Sequence, residues 1–215
     1  MRRSALILIG FQNDYYSTEG ILHGFLENSG AVRASLDRTV ELMHRISGLD
    51  VPFIETPIVF TPNYEELAEP IGILAAIRDT KAFQAGMVGS QQVAEFAPLA
   101  HRITSVPGKR GLNAFVGTNL EDVLNSQGVT HLYLCGSVAS ICIDSTGRYA
   151  AERGFQISVI ADCVTGRTRV EHDFYMENVF PLYAEVLSAD QAEEQMLQSE
   201  LVGVGEPSVV NGQRT

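Results

Sequence analysis

Thr130-His131-Leu132-Tyr133-Leu134-Cys135-Gly136-Ser137-Val138-Ala139-Ser140-Ile141-Cys142 runs an apolar strand into a glycine turn and out toward a helix. The stretch from Thr130 to Cys135 is short, apolar and closed by Gly136, as a strand buried on both faces is. Ile141 to Arg153 follows with helical character and stops at Gly154. The same unit occurs at the start of the chain. Ala5-Leu6-Ile7-Leu8-Ile9 is closed by Gly10, and Val32, Leu36, Val40, Met43 and Ile46 then recur at helical spacing, with Gly48 as a stop.

Working outward, Phe53 to Phe60 reads as a second strand interrupted by Pro57, which is awkward inside a central strand. Asn63 to Gly89 is a long, Pro- and Gly-punctuated excursion with a short helix expected at Gly72 to Ile77. Gln91 to Phe96 is expected as a helix and Arg102 to Val106 as a short strand. Asn119 is placed to cap a helix to Ser126, with Gly128 as its stop. Gln156 to Ile160 is a strand, His172 to Phe180 a helix ending before Pro181, and Glu185 to Leu187 a last strand, with Ser188 capping the final helix. This alternation predicts an α/β fold: a doubly wound parallel sheet of about six strands with helices on both faces. It is read as one domain over 1–200, followed by a Gly-, Pro- and Ser-rich tail over 201–215 that is mobile or docked on a neighbour.

The 215 residues are 45 % apolar, enough for a large core, and contain no Trp. A formal net charge of -11 leaves no basic excess for phosphates, which argues against nucleic acid and against an anionic membrane surface. No apolar run approaches the ~20 residues of a membrane span. The first apolar run is too short for a signal peptide, and three cysteines with no close-set framework point to a reducing compartment. The expected location is cytoplasmic.

Among the cysteines, Cys142 alone is expected at the head of a helix. There the partial positive charge and free N–H groups favour a thiolate and can bind an oxyanion. A smaller role, as a buried apolar residue, fits the local pattern as well. In Lys109-Arg110-Gly111-Leu112-Asn113-Ala114-Phe115-Val116-Gly117-Thr118, a lysine near a thiol would favour the thiolate, whereas by itself Lys109-Arg110 reads as a solvated loop pair.

Three motifs occur in order: Phe11-Gln12-Asn13-Asp14 after the first strand, then Lys109 with Ala114-Phe115 and Gly117-Thr118, then Gly136, Val138-Ala139 and Cys142. Together, between about residues 5 and 190, they resemble the isochorismatase-like cysteine hydrolases, on the side away from the nicotinamidase branch. The resemblance implies a doubly wound sheet with strand order 3-2-1-4-5-6, so that Gly10 and Cys142 converge at the switch point. It implies Cys142 and Lys109 as catalytic residues and a cis peptide between Val138 and Ala139. Oxyanion or substrate contacts fall to Ala139, Val138, Phe115 and Gln12. The implied partner is a small-molecule substrate, with no cofactor.

Two departures stand out. The family's catalytic aspartate falls at Gly10, which has no side chain, and Glu19, Glu65, Glu66 and Glu69 are the candidate substitutes. Where the nicotinamidase branch carries its Asp-x-His, this chain has Phe60-Thr61-Pro62-Asn63-Tyr64-Glu65-Glu66, so no metal is expected. The leading expectation is hydrolysis of a small amide or carbamoyl-type C–N bond through an acyl-enzyme at Cys142, impaired if nothing replaces the base. One rival is a weak or inactive small-molecule binding protein on the same fold. The other is an isochorismate-type vinyl-ether hydrolase, ranked last because such enzymes use the aspartate and this chain keeps the cysteine instead. The resemblance and the apolar stretch Ile71 to Ile77 further imply a homo-oligomer, dimer or tetramer. Light scattering at micromolar concentrations is expected to give a multiple of the chain mass; a monomer mass throughout would refute self-association.

Overall fold

The computed structural model describes residues 3–26 and 29–204, the last three as backbone alone. Its strands are β1 (Arg3–Ile9), β2 (Phe53–Thr56), β3 (Ile103–Ser105), β4 (Val129–Ser137), β5 (Gln156–Thr165) and β6 (Glu185–Leu187). They form one sheet in the order β3-β2-β1-β4-β5-β6, every neighbouring pair parallel. The helices are α1 (Asn13–Tyr16), α2 (Ser29–Arg45), α3 (Gly72–Thr80), α4 (Leu120–Ser126), α5 (Asp144–Glu152), α6 (Arg169–Phe174) and α7 (Ala189–Val204).

The two-residue period of the strands divides the core. Leu6 and Leu8 face one way and pack with Leu36, Leu42 and Met43 of α2 and Met196 of α7. Ala5, Ile7 and Ile9 face the other and pack with Leu120 and Leu124 of α4 and Ala150 of α5. Both faces of β1 are therefore buried, as its unbroken apolar run requires. Ser188 caps α7 reciprocally with Gln191: the Gln191 amide donates to Ser188 Oγ at 3.3 Å and the Ser188 amide to Gln191 Oε1 at 2.8 Å.

Several boundaries differ from the sequence expectation for identifiable reasons. β2 ends at Thr56 because Pro57 interrupts the ladder; beyond it, only Ile58 and Phe60 make isolated bridges, to Lys109 and Gln84. The helical segment expected over Gln91–Phe96 is a 3₁₀ segment at Ala94–Arg102 that contains Pro98. The helix expected from His172 begins earlier, at Arg169, where Thr168 caps it by accepting from the Glu171 amide. A π turn at Tyr175–Val179 then leads into a 3₁₀ turn holding Pro181. Ile77 is buried, whereas Ile71 is 85 % exposed, so the apolar stretch there is only partly surface. α7 continues to Val204, past the boundary expected at 200, and the rest of the expected tail lies outside the described residues.

The chain winds outward from β1 in both directions, so the switch point lies at the carboxyl ends of β1 and β4. There Ile9 pairs with Gly136, whose φ is +124°. A Cβ on Gly136 would lie 1.8 Å from the Ile9 carbonyl oxygen. The Gly136→Ala change is expected to cost about 2–4 kcal/mol, because either the strand pair or the backbone angle must give way. Urea denaturation checks this; an unchanged midpoint would contradict the close approach.

Candidate active site

At the switch point β4 runs on into a single π turn, Ala139–Ile143, which feeds directly into α5. Cys142 thus lies in the opening turn of a helical segment, as its position after a strand and glycine turn predicts. The cis peptide is between Ser137 and Val138, one bond earlier than expected, at the last residue of β4. Val138 and Ala139 are fully buried and open the π turn, with the Val138 carbonyl accepting from the amides of Ile141 and Ile143.

Lys109 is brought in by a backbone bridge to Ile58. The order of that segment comes from Gln12, which is 2 % exposed. Its Oε1 accepts from the Ile58 amide at 2.8 Å, while its Nε2 donates to the carbonyls of Ile58 at 2.8 Å and Ser90 at 2.7 Å. Both amide protons are used, so Gln12 is a clamp that positions Ile58 and, through it, Lys109. The loop after Lys109 is tied to the nucleophile's helix: the Ala114 amide donates to Thr146 Oγ1 at 3.0 Å, and Asn113 Nδ2 donates to the Ser145 carbonyl at 3.2 Å.

The result is a compact polar cluster with no exposed surface. Lys109 and Cys142 are each 0 % exposed. Lys109 Nζ donates to the Gly111 carbonyl at 2.9 Å and to Cys142 Sγ at 3.3 Å, and Sγ can donate to the same carbonyl at 3.1 Å. Burial pushes the Lys109 amine below its ordinary pKa, and the neighbouring Cys142 opposes that shift. Leu74 of α3 lies over Gly111 and so helps roof the cluster. Surface cavities of about 920, 370 and 470 Å³ are lined by other residues.

Gly10, at the carboxyl end of β1, lies against Ser137 and Tyr15 with φ +74°, a conformation that favours glycine. A Cβ there would be 3.0 Å from the Ser137 carbonyl oxygen and 3.6 Å from the Tyr15 ring. Any side chain at this position would be strained. Asp14, 2 % exposed, is engaged elsewhere: its oxygens accept from the amides of Phe83 at 2.6 Å and Ile21 at 3.2 Å. Glu66 is held by the Thr61 amide and hydroxyl, and Glu19, Glu65 and Glu69 are exposed. Among the described residues no carboxylate forms an ion pair with Lys109.

Phe115 is not gathered into this cluster. Its ring packs against Tyr149 at 5.3 Å and Phe155 at 6.1 Å between centroids. Tyr15 and Tyr16 open the segment from Tyr15 to Phe25 that, with Asn63 to Gly89, is expected from the sequence to set substrate choice, though neither tyrosine is singled out there. Both are buried beside the site, and Tyr16 OH accepts from Ser137 Oγ at 2.8 Å. Burial, then the nearby Cys142, Tyr16 and Asp14 charges, hold the Tyr15 phenol well above its ordinary pKa. The two tyrosines directly follow the Gln-Asn-Asp segment, the one signal that would have pointed to them.

The Isochorismatase domain family matches residues 4–191. The chain is 32 % identical over 83 residues to YecD, an isochorismatase family protein of Escherichia coli; this covers 39 % of the chain and 44 % of the relative, so less than half of that relative's length is spanned. It is 24 % identical over 200 residues to maleamate amidohydrolase of Pseudomonas putida, covering 91 % and 87 %. In fold it is similar to N-carbamoylsarcosine amidase from Thermoplasma acidophilum, with a TM-score of 0.69, 22 % identity and coverage of 87 % and 97 %. The family match, spanning the sheet from β1 to β6 and both halves of the buried cluster, establishes that the chain belongs to the isochorismatase family.

Proposed function

We propose that this protein hydrolyses a small amide or carbamoyl-type C–N bond, with Cys142 as the nucleophile. The observation that carries the reading is the buried Lys109 Nζ 3.3 Å from Cys142 Sγ, in the opening turn of the helical segment after β4. A cation and the head of a helix are the two surroundings that make a cysteine a nucleophile. Of the other thiols, Cys135 is buried in β4 and held well above its ordinary pKa by burial and by Cys163, which makes it a poor nucleophile. The thiolate of Cys142 would add to the substrate carbonyl, with the amides of Ala139 and Cys142 binding the oxyanion and Val138 shaping that wall. Water would then clear the acyl-enzyme.

The amide class is supported by the maleamate amidohydrolase relative, whose similarity covers most of both chains, and by the amidase with the same fold. Gln12 and Phe115, first expected to contact substrate, serve this reading through position and packing. The three cysteines are unpaired, in keeping with a cytoplasmic setting. Gly10 favours a second reading, a binding protein on the same fold, because it offers no side chain where the resemblance implies a carboxylate.

Limited iodoacetamide treatment at neutral pH followed by peptide mapping is expected to label Cys142 before Cys135 and Cys163. On a panel of small amides and N-carbamoyl compounds, Cys142→Ala is expected to abolish turnover. Faster labelling of either other thiol, or turnover that survives the change, would overturn the assignment. Saturable binding with no turnover at any pH would establish the binding-protein reading instead.

A further inference from the structure

Among the described residues, the site joins Lys109 to Cys142 with no carboxylate ion-paired to the lysine. Burying an ammonium with no counter-charge is costly, and a buried group responds by giving up its proton to a neighbour or by sharing one. Lys109 has two polar partners in reach, the Gly111 carbonyl at 2.9 Å and Cys142 Sγ at 3.3 Å. These suit either distribution of one proton. With a neutral amine, Nζ donates to Gly111 and accepts from the thiol; with an ammonium, Nζ donates to both Gly111 and the thiolate.

We infer that Lys109 is itself the proton carrier of the reaction, taking the proton from Cys142 Sγ and delivering it to the leaving nitrogen in place of a carboxylate. This rests on Cys142 as nucleophile. Neutral Nζ takes the thiol proton as sulfur bonds to the carbonyl carbon and the C=O π pair moves to oxygen. When the tetrahedral centre collapses, the C–N bond breaks and the Lys109 ammonium protonates the departing nitrogen. A water then gives a proton to Nζ as its oxygen bonds to the thioester carbon. The C–S bond breaks, and sulfur recovers its proton from Lys109.

The other ionisable groups facing the cluster do not fill this role. From α1, Asp14 is bonded through both oxygens to backbone amides, while Tyr15 and Tyr16 are held in their protonated forms by burial. Tyr15 can therefore give a proton but not accept the thiol's. From α6, Glu171 is occupied by Ser140 Oγ at 2.7 Å and by Arg167 at 2.8 Å. The neutral form of Lys109 is accessible because burial lowers its pKa.

The test pairs an activated ester, p-nitrophenyl acetate, whose leaving group needs no proton, with an amide substrate that does. In Lys109→Arg the cation remains but cannot pass its proton on. Amide turnover is expected to fall by ~10²-fold or more, while acylation of Cys142 by the ester, read by intact mass, stays within about 10-fold. If the variant fails to fold, the wild-type pH profiles decide. Above the pH at which the pair loses its last proton, amide turnover is expected to fall while ester acylation persists. Coincident amide and ester profiles, or Lys109→Arg keeping amide turnover within about 3-fold, would overturn the proposal. So would a large loss confined to Tyr15→Phe, which would move the proton to Tyr15. A wild type acylated by the ester but inactive on every amide would overturn it too, leaving Cys142 as nucleophile. Failure of the ester to acylate Cys142 would instead remove the functional reading on which it rests.

Discussion

A fully buried Lys109 amine beside the Cys142 sulfur, with no carboxylate of the described residues in ion-pair range, is the constraint that organises the centre of this protein. A cation in a low-dielectric interior survives only if every donor finds an acceptor and the geometry is held firmly. The surroundings supply two acceptors, the Gly111 carbonyl and Cys142 Sγ, and a firmly held geometry. Gln12 spends its whole amide on the backbone of Ile58 and Ser90, and Ile58 carries the bridge to Lys109. Thr146 and Ser145 of α5 tie down the loop after Lys109. Gln12, expected from the sequence to contact substrate, and Asp14 act as clamps on the backbone of Ile58, Ser90, Phe83 and Ile21.

The sheet decides where this can happen. Parallel strands place their carboxyl ends on one edge, and winding in both directions from β1 opens the crevice between β1 and β4. The same close approach that sets Gly136 against Ile9 leaves Gly10 against Ser137 and Tyr15. A side chain at Gly10 would meet backbone on one side and an aromatic ring on the other. With φ +74° and the Ser137 carbonyl oxygen 3.0 Å from where a Cβ would sit, the local backbone at position 10 favours a residue with no side chain.

Much of this was legible in the residues because it follows from burial and period. β1 and β4 announce themselves as continuous apolar runs closed by glycines, and the alternation of strands with helices implies a parallel sheet, whereas the strand order was implied only by the family resemblance. Cys142 was legible because a strand, a glycine turn and a helix start place it. Lys109 was not legible by itself: Lys109-Arg110 has the look of a solvated pair, and only tertiary structure separates a fully buried lysine from its neighbour. Phe115 looked like a pocket residue because its motif flanks the lysine, yet its ring is committed to Tyr149 and Phe155. The positive φ of Gly10 has no local sequence signal, since a glycine after a strand is compatible with many turns. The extent of β2 was overestimated because an apolar run continues past Pro57 although the ladder cannot.

The central claim is that chemistry passes through the sulfur of Cys142. Acid-quenching the protein during steady turnover of an amide substrate and mapping its peptides tests this most directly. The account predicts an acyl mass on the peptide that contains Cys142, accumulating while substrate lasts and disappearing when it is exhausted. Turnover with no adduct at any quench time, together with full activity after Cys142→Ala, would contradict it.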